Sequence, residues 1–262
     1  MKQPMIITSI HNERVKQWAS LLDKKYRDRT GQFLIEGIHL VKEALLAGAA
    51  IRAIVYDADR GVPLELESFA GQGEWIAASP AVMAKCTGTD SPPPVFAAVD
   101  KPQRDDAALF AENSLVVVLD GVRDPGNVGT IIRGADAAGA DAVVLGKGCV
   151  DLYNPKTVRS TMGSLFHLPV VEADLAELLP QAKARGIKLV GTSLQARHTC
   201  YSYDWKQPSW MLFGSENDGL SPSSLEAVDE AVIIPMKGKA ESLNVAMAAT
   251  VLLYEALRQR EF

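Results

Sequence analysis

Five consecutive apolar residues, Leu115-Val-Val-Val-Leu119, run without alternation up to Asp120 and a glycine. A strand with one wet face would alternate polar and apolar residues, so this run reads as a strand buried on both faces. Burial on both faces is the mark of a parallel sheet covered by helices, and the second half of the chain is therefore expected to be α/β. Further strand-like segments follow at residues 142–145, 169–171, 188–191, 210–213 and 231–234, with helical stretches between most of them.

The first hundred residues have a different rhythm. Val15, Trp18, Leu21 and Leu22 share one face of a helix predicted over residues 12–22, behind Asn12 as a cap. Strand-like segments at 33–35, 51–56 and 95–99 then alternate with helical stretches at 39–47 and 64–69 and a helix started by Ser79-Pro80. Residues 1–100 thus read as a small α/β domain. Residues 101–113, polar and carrying Pro102, read as a linker, and residues 114–262 as a larger α/β domain. A length of 262 residues suits that division.

Composition narrows the function classes. With 47% hydrophobic and 23% charged residues, the chain can bury a full core, and disorder cannot dominate. A net charge of −5 argues against wholesale non-specific binding of nucleic acid but leaves room for a local basic face. Cys86, Cys149 and Cys200 are far apart and odd in number, which fits a reducing compartment. Residues 1–16 hold no long apolar leader, and no stretch approaches the length of a membrane span, so a cytoplasmic protein without a membrane partner is expected.

In a parallel α/β sheet, ligands sit beyond the carboxyl ends of the strands. Three loops at such ends carry unusual chemistry. The first, Asp120-Gly-Val-Arg-Asp-Pro-Gly-Asn-Val-Gly129, leads into a helix bearing Arg133; Asn127 and Arg133, six residues apart, are expected to face one cleft. There Asn127 would be a neutral hydrogen bonder and Arg133 a fixed cation for phosphate or a developing oxyanion. The second, Phe213-Gly-Ser-Glu-Asn-Asp-Gly-Leu-Ser221, sets Glu216 between two glycines, and Gly214 would permit close approach of a ligand. Ser221 and Pro222 read simply as a helix start. The third, residues 234–245, joins a strand to the final helix, with Ser242 as a candidate N-cap and Asn244 a poor helix former at its opening.

That final helix, predicted over residues 243–257, carries apolar residues on nearly every face and must be covered all round, either within the chain's own core or at a subunit interface. Other chemistries lack support. Gly146-Lys-Gly148 is followed by Cys149-Val-Asp151, which completes neither a dinucleotide glycine pattern nor a P-loop. His11, His39, His167 and His198 are scattered, so no metal is expected, and no G-x-S-x-G elbow surrounds a serine.

Together, in this order, the three loops resemble the SpoU/TrmH superfamily of S-adenosylmethionine-dependent RNA ribose 2′-O-methyltransferases. Asp120-x3-Asp-Pro-x-Asn-x-Gly-x3-Arg133 is similar to the first motif, Phe213-Gly-Ser-Glu-x-x-Gly-Leu-Ser221 to the second, and Ile234-Pro-Met-x5-Ser-Leu-Asn244 to the third. Ser215 departs from the family, where many relatives have Asn before the glutamate, and its role stays open. The resemblance implies a parallel-sheet SPOUT fold with a C-terminal trefoil knot and a homodimer packed through the last helix. It also implies S-adenosyl-L-methionine held near Thr192, Gly214, Ile234, Met236 and Leu243, mainly by backbone and apolar contacts. Asn127, Arg133, Glu216, Ser242 and Asn244 are the ribose-handling residues that the motifs carry over.

Residues 1–100 are similar to the small RNA-binding domain that many rRNA-directed members carry before the knotted domain, a likeness resting on pattern and on Phe33-Leu-Ile-Glu-Gly37. Arg14, Lys16, Lys24, Lys25, Arg27 and Arg29 stand against only Asp23 and Asp28 between residues 14 and 29, and read either as RNA contacts or as a solvated helix face. The function so implied is 2′-O-methylation of a ribose in structured RNA, 23S rRNA before tRNA. A guanidinium is a poor literal base, so Arg133 is expected to anchor phosphate and stabilise the oxyanion, with Glu216 holding Arg133 or another donor. The alternatives are a non-catalytic RNA-binding or ribosome-assembly protein on the same scaffold, and an α/β oxidoreductase, which the missing glycine fingerprint disfavours.

Overall fold

A computed structural model describes residues 6–103 and 106–262. Residues 1–5 of the amino terminus expected to hold no leader, and residues 104 and 105 of the expected linker, lie outside the described residues. In chain order, α1 (Glu13–Ser20), α2 (Lys24–Thr30), β1 (Gln32–Glu36), α3 (Ile38–Leu46) and β2 (Ile51–Asp57) precede β3 (Trp75–Ala78), α4 (Pro80–Thr87) and β4 (Val95–Asp100). Next come β5 (Leu115–Asp120), α5 (Pro125–Ala137), β6 (Ala142–Leu145), α6 (Pro155–Thr161), β7 (Val170–Glu172), α7 (Leu175–Ala184) and β8 (Lys188–Thr192). The last part runs through β9 (His198–Thr199), β10 (Ser209–Gly214), α8 (Pro222–Ala227), β11 (Glu230–Ile233) and α9 (Val245–Glu261).

The described residues up to Gln103 form one compact unit together with Asp151–Phe166, and residues 106–150 with His167–Phe262 form a second. Residues 151–166, which lie inside the expected 114–262 span, are thus grouped with the first unit. Residues 151–166 join the first unit for two reasons: α6 packs against β1, and Asp151 meets a buried arginine.

In the first unit, the helix expected over 12–22 is α1, and α2 follows it as a separate helix with a cap of its own. Asn12 accepts from the Arg14 N–H and Asp23 from the Lys25 N–H, each satisfying a helix-start donor. The sheet has the order β1-β4-β2-β3, antiparallel except for the β2–β3 pair. Val15, Trp18 and Leu21 press onto its Leu34, Val55, Phe96 and Ala98. Arg27 is 3% exposed; its Nη1 donates to the Leu21 carbonyl at 2.7 Å and its Nη2 pairs with Asp151 Oδ2 at 2.5 Å. Arg159 on α6 pairs with the buried Glu36 at 2.8 Å, while burial holds that carboxyl above the usual glutamate range.

The second unit is one seven-stranded sheet of order β7-β6-β5-β10-β8-β11-β9, and every pairing is parallel. All six residues of β5 are buried, as the unbroken apolar run requires. Because the strands are parallel, the ends of β5, β8, β10 and β11 lie on one edge of the sheet, and the loops that follow them share that edge. α9 packs on α5, where a Cβ on Gly134 would meet Thr250 and Leu253 of α9. Its cover is incomplete within this chain: Met247 and Tyr254, seven residues apart and so on one helix face, are 56% and 49% exposed.

Removing one partner of a buried ion pair leaves the other charge uncompensated, at about 3–5 kcal/mol. Arg27→Ala is therefore expected to lower the unfolding free energy by about that amount in urea titrations; a loss within about 0.5 kcal/mol, typical of a surface site, would contradict the pair's structural role.

Candidate active site

The three loops are each built by a local device. After β5, Asp124 is the N-cap of α5: its Oδ1 accepts the Asn127 N–H at 2.8 Å, and Pro125 occupies the first turn, where no N–H is needed. A Cβ on Gly126 would stand 2.9 Å from that same Asp124 oxygen, so the cap needs glycine there. The Asn127 backbone is thus already satisfied, which leaves its side chain for other work.

After β10, Ser215 and Gly219 exchange two backbone hydrogen bonds at 3.0 Å, and the Ser215 hydroxyl accepts the Asp218 N–H at 3.0 Å. Ser215 therefore shapes this turn. The turn folds back so tightly that a Cβ on Gly214 would lie 2.0 Å from the Gly219 carbonyl carbon. Gly214 was expected to make room for a ligand; instead it makes room for the chain's own backbone. Asp120 ties the first loop to the second by accepting the Ser221 N–H at 2.8 Å.

Before α9, the N-cap is Asn244 and not the expected Ser242. Asn244 Oδ1 accepts the N–H groups of Ala246 at 2.9 Å and Met247 at 3.4 Å. With the oxygen so engaged, the amide nitrogen is free to donate, and it reaches Asn127 Oδ1 at 3.1 Å. Asn127 Nδ2 donates in turn to Glu216 Oε1. One residue from each loop thus forms a directed relay, Asn244 to Asn127 to Glu216, in which every amide group has one role.

Arg133 stands apart from this relay. Six residues at 3.6 per turn leave two side chains about 120° apart around a helix, not on a common face. Arg133 is exposed on α5, and among the described residues its guanidinium makes no hydrogen bond or ion pair. Glu216 accordingly holds Asn127 and not Arg133.

A cleft reaching to the start of α9 is lined by Thr192, Ile234, Met236, Glu241, Ser242 and Leu243, with Ala248 from α9. Four of the five expected cofactor contacts line it; Gly214 does not. Cys149 is the thiol on the loop after β6, but its Sγ donates to the Leu119 carbonyl at 3.2 Å and burial raises its pKa, so it is a packed thiol and not a nucleophile. Among the described residues, no group of three or more His, Cys, Asp or Glu side chains is arranged to hold a metal.

The expected basic face of the first unit is largely spoken for. Arg14 pairs with Glu74 at 2.6 Å, Lys16 with Glu13 at 2.7 Å, and Lys24 with Asp28 at 2.7 Å. Arg27, being buried on Asp151, is withdrawn as an RNA contact. Lys25 and Arg29 are exposed, and the Arg29 guanidinium lies 4.8 Å over the Tyr26 ring.

The sequence pattern described as the SpoU rRNA Methylase family matches residues 114–254, and that of an MRM3-like substrate binding domain matches residues 12–97. The chain belongs to the SpoU rRNA methylase family. It is 40% identical to the 23S rRNA (guanosine(2553)-2'-O)-methyltransferase RlmP of Bacillus subtilis, with 97% of this chain and 98% of that protein covered. It is 38% identical to the 23S rRNA (uridine(2479)-2'-O)-methyltransferase of Streptomyces viridochromogenes, over 97% of this chain and 92% of the relative. The crystal structure of the SpoU methyltransferase AviRb from the same organism, in complex with AdoMet, superposes with a TM-score of 0.87 at 38% identity, covering 95% of this chain and 98% of AviRb.

The cap and the relay can be separated. Asn244→Ala is expected to cost about 0.5–2 kcal/mol of stability in thermal unfolding, and Asn244→Asp, which keeps the capping oxygen, to recover most of it. Equal losses in the two variants would contradict the capping role.

Proposed function

We propose that this SpoU family member transfers the methyl group of S-adenosyl-L-methionine to a ribose 2′-hydroxyl of 23S rRNA, with tRNA as the next candidate substrate. The observation that carries the reading is the relay from Asn244 through Asn127 to Glu216, which places three motif residues side by side at the edge of the sheet where a ligand is met. The two relatives that match nearly the full length are both named as 23S rRNA 2′-O-methyltransferases, which favours rRNA.

The cleft fits the cofactor's chemistry. Ile234, Met236 and Leu243 offer apolar surface for an adenine face and a thioether, Thr192 and Ser242 offer hydroxyls for a ribose, and Glu241 offers a carboxylate to a cationic donor. When bound, the cofactor supplies an activated methyl group for in-line displacement. This chain's residues then have to orient the nucleophile and stabilise its charge. Glu216 has one carboxylate oxygen held by Asn127, and the other would accept the hydrogen bond of the ribose hydroxyl, aim its lone pair and take up its proton as the oxygen attacks. Arg133, a cation without a carboxylate partner among the described residues, would bind the neighbouring phosphate and stabilise the developing alkoxide. A guanidinium does not act as a base under ordinary conditions.

Three finer features belong to the same reading. Residues 114–262 would act as the methyltransferase domain, residues 101–113 as a linker and residues 1–100 as the substrate RNA-binding domain. The carboxyl-terminal segment would thread a trefoil knot, in keeping with β10 inserted between β5 and β8 and with α9 returning to α5. Two copies would pair through α9, which would cover Met247 and Tyr254, and an rRNA substrate goes with a cytoplasmic location.

Arg133→Ala is expected to lower methyl transfer to unmodified 23S rRNA by at least about a hundredfold, while calorimetry with S-adenosylmethionine reports unchanged cofactor binding. Retained turnover would contradict the role of Arg133; a wild-type protein that binds no S-adenosylmethionine would favour a non-catalytic RNA-binding protein on this scaffold.

A further inference from the structure

Three arginines of the first unit, Arg14, Arg29 and Arg52, line one cleft with Gln17, Trp18 and Gln32. Arg52 comes from β2 and lies outside the basic run that the sequence displays. The cleft measures about 430 Å³, within the range of roughly 300–1,000 Å³ usual for small-molecule sites and too small for a helix.

Two of the three guanidiniums are pinned by carboxylates. Arg14 donates from Nη1 and Nη2 to the two Glu74 oxygens at 2.8 and 2.6 Å, and its guanidinium lies 5.2 Å over the Trp18 ring. Arg52 donates from Nε to both oxygens of Asp100 at 2.9 and 2.8 Å, and the Gln32 amide donates to the same carboxylate at 3.0 Å. Pinning fixes the guanidinium planes while leaving them solvent-accessible, with the Arg14 and Arg52 side chains 42% and 64% exposed. Arg29 has no carboxylate partner among the described residues, so three guanidiniums against two carboxylates leave one positive charge.

A duplex backbone presents a run of phosphates to a broad surface and calls for several uncompensated cations. A cleft with one net charge, fixed planar cations and side-chain amides calls for something else: a flat base to stack, a base edge to hydrogen-bond and a single phosphate. We infer that this cleft seats one unpaired nucleotide of the substrate RNA. Arg29 takes its phosphate, the Arg14 and Arg52 planes flank the base, and Gln17 with the free Gln32 carbonyl oxygen meets the base edge. The inference rests on the RNA-methylation reading for the nature of the ligand.

The test uses the full chain and fluorescently labelled, unstructured oligoribonucleotides of differing sequence, titrated across a salt series, with a blunt RNA duplex as the competing probe. Arg29→Ala is expected to weaken single-strand binding roughly tenfold and to reduce the log–log salt slope by about 0.7, the value for one single-strand phosphate contact. Arg29→Glu should weaken it further, and Gln17→Ala should flatten the preference among sequences without moving the slope. Unchanged affinity and slope in both folded Arg29 variants, or tighter binding of the duplex than of any single strand, would overturn the inference. The two failures are distinguishable: if the wild type transfers methyl groups to rRNA and Arg29→Ala matches it in binding and slope, the cleft is wrong. If oligonucleotides bind as described but no methyl group is transferred, the methylation reading is wrong.

Discussion

Asn244 is asked to do two things at once, and the site depends on its doing both. Its oxygen closes the open end of α9, and that engagement fixes which way the amide points. The nitrogen must then face Asn127, and Asn127, having given its oxygen to Asn244, has only its own nitrogen left for Glu216. A carboxylate on a surface loop is thereby oriented by the start of a helix one motif further along the sequence. Two supporting devices make this possible: the Asp124 cap, which frees the Asn127 side chain from helix-start duties, and the tight Ser215–Gly219 turn, which Gly214 alone accommodates.

Parallel strand pairing explains why such distant residues meet. With β5, β8, β10 and β11 all running the same way, each successive loop returns to the same edge of the sheet, and Asp120 bonded to Ser221 stitches two of them together. The contrast between arginines follows from their partners. Arg27 and Arg159 are committed to Asp151 and Glu36 and hold residues 151–166 to the first unit, whereas Arg133 and Arg29 have no carboxylate partner among the described residues. Uncommitted cations on an acidic protein are where a polyanion gains most and where the chain itself gains nothing.

Much of the larger sheet was legible because its signals are strong. The unbroken run at residues 115–119 has few other uses, and Pro125, Pro222 and the asparagine and aspartate caps mark helix starts directly. What stayed hidden had weak or ambiguous local signals. β3 is four residues after a glycine-rich turn, and β9 is two residues, so neither shows a period. Ser242 and Asn244 are both good caps, and only the conformation of the loop decides between them. Arg27 has the same composition signal as its exposed neighbours; its burial depends on Asp151, 124 residues away. The same long-range pairing explains why residues 151–166, unremarkable in sequence, leave the unit that flanks them.

The account stands most directly on where a methyl group goes. Ribosomal RNA lacking the modification would be incubated under single-turnover conditions with the protein and S-adenosylmethionine carrying an isotopically labelled methyl group. The RNA would then be digested and its nucleosides identified by mass spectrometry. The expected result is label on the 2′-oxygen of one nucleotide of 23S rRNA, lost when Asn127→Ala breaks the relay in a protein that remains folded. Label on a base, or undiminished ribose label from that variant, would contradict it.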